Sequence, residues 1–392
     1  MVILLKFTTF TDHNIIISHF IMNKNSVLKL GVSFLCGLLG CFAVKAATTK
    51  VVIVDADSSS PLPAASVFSK GGAMLGITED DGSFDRATPS DYPLTIRYLG
   101  YEAASFPEVS DTLRLSPVSL PLSEVEVTDN MAGIHLVCYI RTFVSDLVEG
   151  DTVTIFSERM VDYLLPLRKS KGFKKMESPR QLRYRFSSRF KCKDGTDSVS
   201  RKIRESDYAW VLPGHLYDSM DVLEEPESLR GVSYGEDSVK LNKYVQRVFK
   251  GGGNLTFNND PLRDHKDHIW SPNVLKLLGM TIDIYEMEIN DTYPVNPSGK
   301  YRIYDLAMRS VAFGGKAKGK MLKWVLGTSE PFDIYSLMEI YPVDCTFITP
   351  EESQELKKTA PEIEWRIPEI VPPLDAATLD MVSRCDSLPI PK

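Results

Sequence analysis

Two histidines and two aspartates fall within five residues at Asp264-His265-Lys266-Asp267-His268. Imidazole nitrogens and carboxylate oxygens are ordinary ligands of a divalent cation, and a metal held there would activate water for hydrolysis. Lys266 interrupts the run, and one short loop rarely supplies a whole coordination shell, so a solvated charged loop ahead of Trp270 is the competing expectation. Gly314 to Lys320 (Gly-Gly-Lys-Ala-Lys-Gly-Lys) imitates a phosphate-cradling loop. Met321 comes next, where magnesium needs a hydroxyl, and a strand is predicted there in place of a helix, so this stretch reads as a hairpin tip. Ser188 and Lys191 have the spacing of a nucleophile pair, but in a strand they point to opposite faces. No His in the chain is followed three residues later by Glu, the zinc-peptidase pairing. No catalytic set and no cofactor emerge from these residues.

The clearest partner signal is a basic row. From Leu182 to Lys193 the chain alternates, with Leu182, Tyr184, Phe186, Ser188, Phe190 and Cys192 on one side. Arg183, Arg185, Arg189, Lys191 and Lys193 fall on the other, with Ser187. Side chains alternate across a strand, so this is a long strand with one apolar and one basic face. Guanidinium forks match phosphate and carboxylate oxygens, which suits an anionic lipid headgroup or an acidic glycan. The alternative is a face that pairs internally with acidic stretches such as Asp218 to Glu227. Asp194-Gly195 then turns the chain into a hairpin partner at Thr196 to Ile203.

The elements that would hold these residues are mostly strands. Val51 to Val54 is a β-branched run ending in the turn residues Asp55 and Asp57. Strands are predicted at Ala65–Ser69, Leu75–Thr78, Leu94–Tyr98, Thr112–Leu115 and Val125–Val127, with Phe84 as a core anchor after the tight turn Asp80-Asp81-Gly82. Together they make about seven short strands at the spacing of a sandwich. Thr128 to Gly133 reads as linker. Leu136, Ile140, Phe143, Val144 and Leu147 form an i, i+4, i+7 stripe that predicts a helix from His135 to Leu147, and Phe156 to Leu164 a second helix stopped by Pro166. Further strands are predicted at Thr281–Ile289, Tyr301–Met308, Met321–Leu326 and Tyr335–Ile348, with turns at Asn296–Gly299 and Gly314-Gly315. Thr349-Pro350-Glu351-Glu352 is a helix start, and Leu374 to Cys385 a last short helix after the Pro-rich Pro368–Pro373.

A length of 392 residues predicts two or three domains. Met22-Asn23-Lys24 and Lys29 precede an apolar run, Leu30 to Val44, of signal-peptide length, with Val44-Lys45-Ala46 as the cleavage region and Met22 as the expected start. A rival reading takes Leu38-Leu39-Gly40-Cys41 as a lipobox that makes Cys41 a lipid attachment point. Either way export is expected, to the periplasm or the outer membrane. Losing Lys6, Lys24, Lys29, Lys45 and Asp12 reduces 45 basic and 52 acidic residues to 41 and 51, a balance of -10. That balance argues against a nucleic-acid partner. Cys138, Cys192, Cys345 and Cys385 are widely spaced, which disfavours zinc and leaves free thiols beside three possible pairings.

The N-terminal stretch resembles a known family. Val51–Val54, Pro61-Leu62-Pro63-Ala64-Ala65-Ser66-Val67, Gly76 with Thr78, Asp81-Gly82-Ser83-Phe84, Leu94 to Glu102 and Leu122-Ser123-Glu124-Val125-Glu126-Val127 are similar to the carboxypeptidase-regulatory-like domain. This is a transthyretin-like β-sandwich at the N-terminus of many Gram-negative envelope proteins. Ala65 departs from the glycine common there. The resemblance implies an accessory module, not a catalytic unit. The remainder of the chain is similar only to uncharacterised envelope proteins that carry the same module.

The expected organisation is a signal segment at 1–46, the sandwich at 47–127, a linker at 128–134, an antiparallel β-rich α+β domain at 135–366 and a Pro-rich tail with a short helix at 367–392. The fold class is therefore mainly β. The expected function is a non-enzymatic envelope module for a protein, glycan or lipid partner. The alternative is an envelope hydrolase with a metal near His265 and His268. About 265 residues lie beyond Val127, too few for a large transport barrel.

Overall fold

A computed structural model describes residues 50–120, 131–148, 151–167, 179–192, 195–202, 222–241, 244–260, 262, 269–270, 280–319 and 330–389. The chain divides into two units, Met1–Ala47 and Thr48–Lys392, and the first lies outside the described residues. Cys41, Lys193, Asp264, His265, Asp267 and His268 also lie outside them, as do Leu122–Val127, Met321–Leu326 and Asp218–Asp221.

Seven short strands come first: β1 (Val51–Asp55), β2 (Ser66–Phe68), β3 (Met74–Ile77), β4 (Ser83–Phe84), β5 (Leu94–Arg97), β6 (Ala104–Phe106) and β7 (Thr112–Leu115). They form two sheets, β4-β1-β7 and β3-β2-β5-β6, with β1 and β7 parallel. Val51, Ile53, Val67, Phe84, Leu94, Ile96, Leu113 and Leu115 fill the space between them. Gly82, at φ 72, makes the predicted turn into β4, and Phe84 is the anchor expected of it. The described residues thus hold seven strands, among them β6, which the sequence pattern does not predict, while the predicted strand at Val125–Val127 lies outside them.

Longer strands make up the rest: β8 (Gly133–Val148), β9 (Asp151–Pro166), β10 (Arg180–Cys192), β11 (Asp197–Lys202), β12 (Leu223–Glu224), β13 (Gly235–Leu241), β14 (Tyr244–Gly251), β15 (Asn254–Asn259), β16 (Ile269–Trp270), β17 (Met280–Pro294), β18 (Lys300–Tyr301), β19 (Met308–Gly319) and β20 (Phe332–Ile348). Eleven of them make one antiparallel sheet in the order β11-β10-β9-β8-β20-β19-β17-β15-β14-β13, with β16 on β17. Two helices close the chain, α1 (Pro350–Lys358) and α2 (Ala376–Asp386). α1 begins as predicted, with Thr349 and Glu352 in a capping box and Pro350 in the first turn.

Both helices predicted between His135 and Leu164 are strands, β8 and β9. The cause is double burial. Ile134, Leu136, Cys138 and Ile140 of β8 enter a core on one side, together with Val161, Tyr163, Phe257 and Tyr293. Val137, Tyr139 and Phe143, on the alternate positions, enter cores on the other side. A strand apolar on both faces loses its period of two, and a helical stripe can be picked out of it. Gly314-Gly315 lies inside β19, not at a hairpin tip, and Tyr301–Met308 holds a short 3-10 turn (Ile303–Asp305) instead of a strand.

The sandwich is docked on the large sheet by the outer face of its four-stranded layer. Phe68, Met74 and Ile77 share a core with Phe143, Phe156, Tyr335 and Leu337 of the sheet and with Met381, Val382 and Cys385 of α2. Burying each such side chain is worth roughly 1.5–3 kcal/mol, so this contact holds the two parts firmly. The Met74 amide donates to Ser145 Oγ at 2.8 Å. Residues 359–375, irregular and Pro-rich, run back over the same face as a strap between α1 and α2.

Candidate functional site

β5 places Arg97 on the outer face of the sandwich, while β8 and β20 place Arg141, Glu339 and Tyr341 beneath it on the sheet. All three charged residues are buried, at 4%, 2% and 3% exposure. Arg97 donates from Nε to Glu339 Oε1 at 3.1 Å and from Nη2 to Oε2 at 3.3 Å. The Arg141 Nε donates to the same carboxylate. Phe143 lies under both guanidiniums, 5.0 Å from Arg97 and 5.6 Å from Arg141. Burial works against the Arg141 charge, but Glu339 and Tyr341 outweigh it and raise its pKa. The same burial, with the Glu339 charge, pushes the Tyr341 hydroxyl up, so it stays a neutral donor and acceptor.

Above this cluster lies a cleft of 340 Å3. The sandwich loop Tyr98–Ala103 forms one wall, Leu120 and Met308 another, and Glu369–Pro373 of the strap closes it. Arg97, Glu339 and Tyr341 form its floor. The volume falls in the range of small-molecule sites, at its lower end. Strap carbonyls complete the floor, with Pro372 O accepting from Arg141 Nη1 at 2.7 Å and Pro373 O from Arg97 Nη1 at 3.4 Å. Larger hollows of 440 and 550 Å3 lie elsewhere, lined chiefly by polar loop and edge residues such as Glu79, Asp80, Ser298 and Lys300.

The predicted basic row stands where the alternation put it, on β10, facing the sandwich side of the sheet. Its arginines are engaged within the chain. Arg183 donates to the Ile363 carbonyl of the strap, and Arg189 to the Gly71 carbonyl of the sandwich. Arg185 pairs with Glu158, lies 3.5 Å from Asp386 and sits over the Trp365 ring. Lys191 is exposed. Among the described residues the internal acids are thus Glu158 and Asp386, whereas Glu224 and Glu225 pair with Lys300 and Lys250. Among the described residues, no group of three His, Cys, Asp or Glu side chains is placed to hold a metal.

Sequence reasoning missed Arg97, Arg141 and Glu339. Each is a lone charge inside an apolar run, as in Leu337-Met338-Glu339-Ile340-Tyr341, and that is the pattern of a buried partner. Cys138, Cys192, Cys345 and Cys385 are free thiols. Burial pushes the Cys345 thiol up to about 12 and the Cys138 thiol higher still, which makes both unreactive.

No family model and no curated protein matches the chain. Among solved structures, one of lipid–protein interactions in lipovitellin is similar over 55% of this chain, at 8% identity and a TM-score of 0.27. The chain spans 26% of that protein's length. An AttH-type protein of Nitrosomonas europaea is similar over 57% of this chain and 58% of its own, at 9% identity and a TM-score of 0.15. Likenesses this weak carry no functional argument.

Proposed function

We propose that the protein is a non-enzymatic binding module of the cell envelope, an accessory sandwich of the carboxypeptidase-regulatory-like kind docked on a large sheet. The cleft between them is where a protein, glycan or lipid partner would place a group. One observation carries this reading. Among the described residues, the carboxylate on the cleft floor is Glu339, and two guanidiniums hold it, which removes it as a general base. The described residues lining the cleft include no serine, cysteine, histidine, lysine or aspartate, and its other carboxylates, Glu102 and Glu369, stand exposed at the rim away from the floor. Export rests on the apolar Leu30–Val44 run, and lipid attachment on Cys41.

The test is a crosslinked pull-down from intact envelopes with wild-type protein and with Cys41→Ala. A discrete partner should be recovered from the envelope fraction, and anchoring should be lost in the variant if Cys41 is lipidated. Turnover of ester, peptide or glycoside substrates by the purified protein, abolished by changing a cleft residue, would overturn the reading.

A further inference from the structure

On the cleft floor Arg97 and Arg141 have Glu339 as their bonded carboxylate, because Glu158, opposite Arg141 on β9, is taken up by Arg185 and Tyr139. Two buried guanidiniums share one buried carboxylate. Each also has donors to spare, because Nη1 and Nη2 carry two N–H groups apiece and make one bond each. For Arg97 these bonds go to Pro373 O and Glu339, and for Arg141 to Pro372 O and, at 3.5 Å, to Tyr341 Oη. The strap therefore offers neutral carbonyls to groups that bind oxyanions better. An anion entering here would gain charge-assisted hydrogen bonds and offset the repulsion between the two cations.

The rest of the cleft limits what that anion is attached to. Leu99, Leu120, Met308, Ile370 and Val371 make its walls apolar. Glu102 and Glu369 stand exposed at the rim, where they repel further negative charge without neutralising the buried floor. A polyanion is disfavoured on that ground. Taking the cleft as the binding site proposed above, the geometry points to a ligand with one oxyanion headgroup and an uncharged apolar body. The head meets the Arg97 guanidinium and the Tyr341 hydroxyl, with Arg141 supplying charge from behind, and the body lies along Leu99, Met308 and Ile370. A carboxylate and a phosphate monoester share this chemistry.

Four ligands with one decyl chain test the inference: decanoate, decyl phosphate, decanol and decylamine, titrated calorimetrically into the full-length protein. Decanoate or decyl phosphate should bind at least about tenfold more tightly than decanol and decylamine, a gap of about 1.4 kcal/mol. The tighter of the two anions tells carboxylate from phosphate. Ile370→Trp, and independently Val371→Trp, fill the cleft from the strap without touching the ion cluster, and binding should be lost in whichever variant unfolds as cooperatively as wild type. Equal affinity for all four heads, lost on filling, overturns the headgroup inference while leaving the cleft a binding site. Anion binding that survives filling, or no binding by any of the four, overturns it as well.

Discussion

Among the ion clusters through which the sandwich meets the large sheet, two are built on opposite plans. At one end Arg86 forms a closed pair with Glu286, at 2.7 Å and 3.1 Å, and donates to Tyr335 Oη at 3.1 Å. Two glycines clear the space for it. A Cβ on Gly76 would stand 2.6 Å from Arg86 Nη1, and one on Gly314 would meet the Glu286 carboxylate and stand 2.7 Å from the Tyr335 ring. At the other end two arginines share Glu339, and a cleft opens beside them. One cation per anion makes a balanced joint, at the edge of the open polar hollow of 440 Å3 that Arg86 and Glu286 also line. Two cations per anion beside a cavity makes a place for a ligand.

The strongest way to break this contrast is Glu339→Gln. It leaves two guanidiniums buried without a counter-charge, and the expected loss is about 3–5 kcal/mol in urea unfolding. A loss below about 1 kcal/mol would mean that solvent already screens the cluster, and the contrast would fail. Gly314→Ala tests the joint in the same units. The added methyl group has no room, so about 1–3 kcal/mol should be lost. Tyr335→Leu in the same chain should return part of it. A neutral Gly314→Ala would show that the joint is loose.

The two ends also differ in how far the sequence announced them. Sandwich strands such as Leu94–Arg97 were legible because each has one inward face and a turn at its end. The capping box at Thr349 was legible because all its parts lie within four residues. Arg97 alternates with the inward Leu94, Ile96 and Tyr98, which locally marks the solvent side of a half-buried strand, and nothing local says that a second sheet covers it. Its partner Glu339 lies 242 residues away, and only the fold brings them together. The same distance hid the fate of the basic row. Its alternation was local and correct, whereas Ile363, Trp365 and Asp386, which engage it, belong to the far end of the chain.

Asp146 extends the comparison to a buried carboxylate that lacks the guanidinium support of Glu286 and Glu339. It is 6% exposed, its Oδ1 has no hydrogen-bond partner among the described residues, and its cross-strand neighbours are Val153 and Ile334. Burial alone pushes its pKa up to about 7. Between the ordinary aspartate pKa and that value the folded chain holds a proton that the unfolded chain has released. The destabilisation from Asp146 should therefore be absent below about pH 4 and grow as the pH rises towards 7, by at most about 1.4 kcal/mol per pH unit. Asp146→Asn should remove that slope and be the more stable protein at about pH 8. A wild-type curve that matches the Asn variant across this window would mean that Asp146 has a partner in solution.

The smallest effect belongs to the joint's own charges. Arg86 is 31% exposed and Glu286 16%, so water and salt screen part of their attraction. A double-mutant cycle of Arg86→Met and Glu286→Gln should give a coupling of about 1 kcal/mol, after allowing for that exposure. Salt at about 0.5 M should shrink it, because an exposed pair is screened where a buried one is not. The matching cycle of Arg97→Met and Glu339→Gln should be nearly salt-independent. It should also depend on Arg141. With Arg141 present, removing Arg97 still leaves Glu339 paired, so the coupling should be smaller than in an Arg141→Met background. Equal coupling in the two backgrounds would mean that Glu339 does not serve both arginines, and the surplus charge on the cleft floor would be lost as a distinguishing feature.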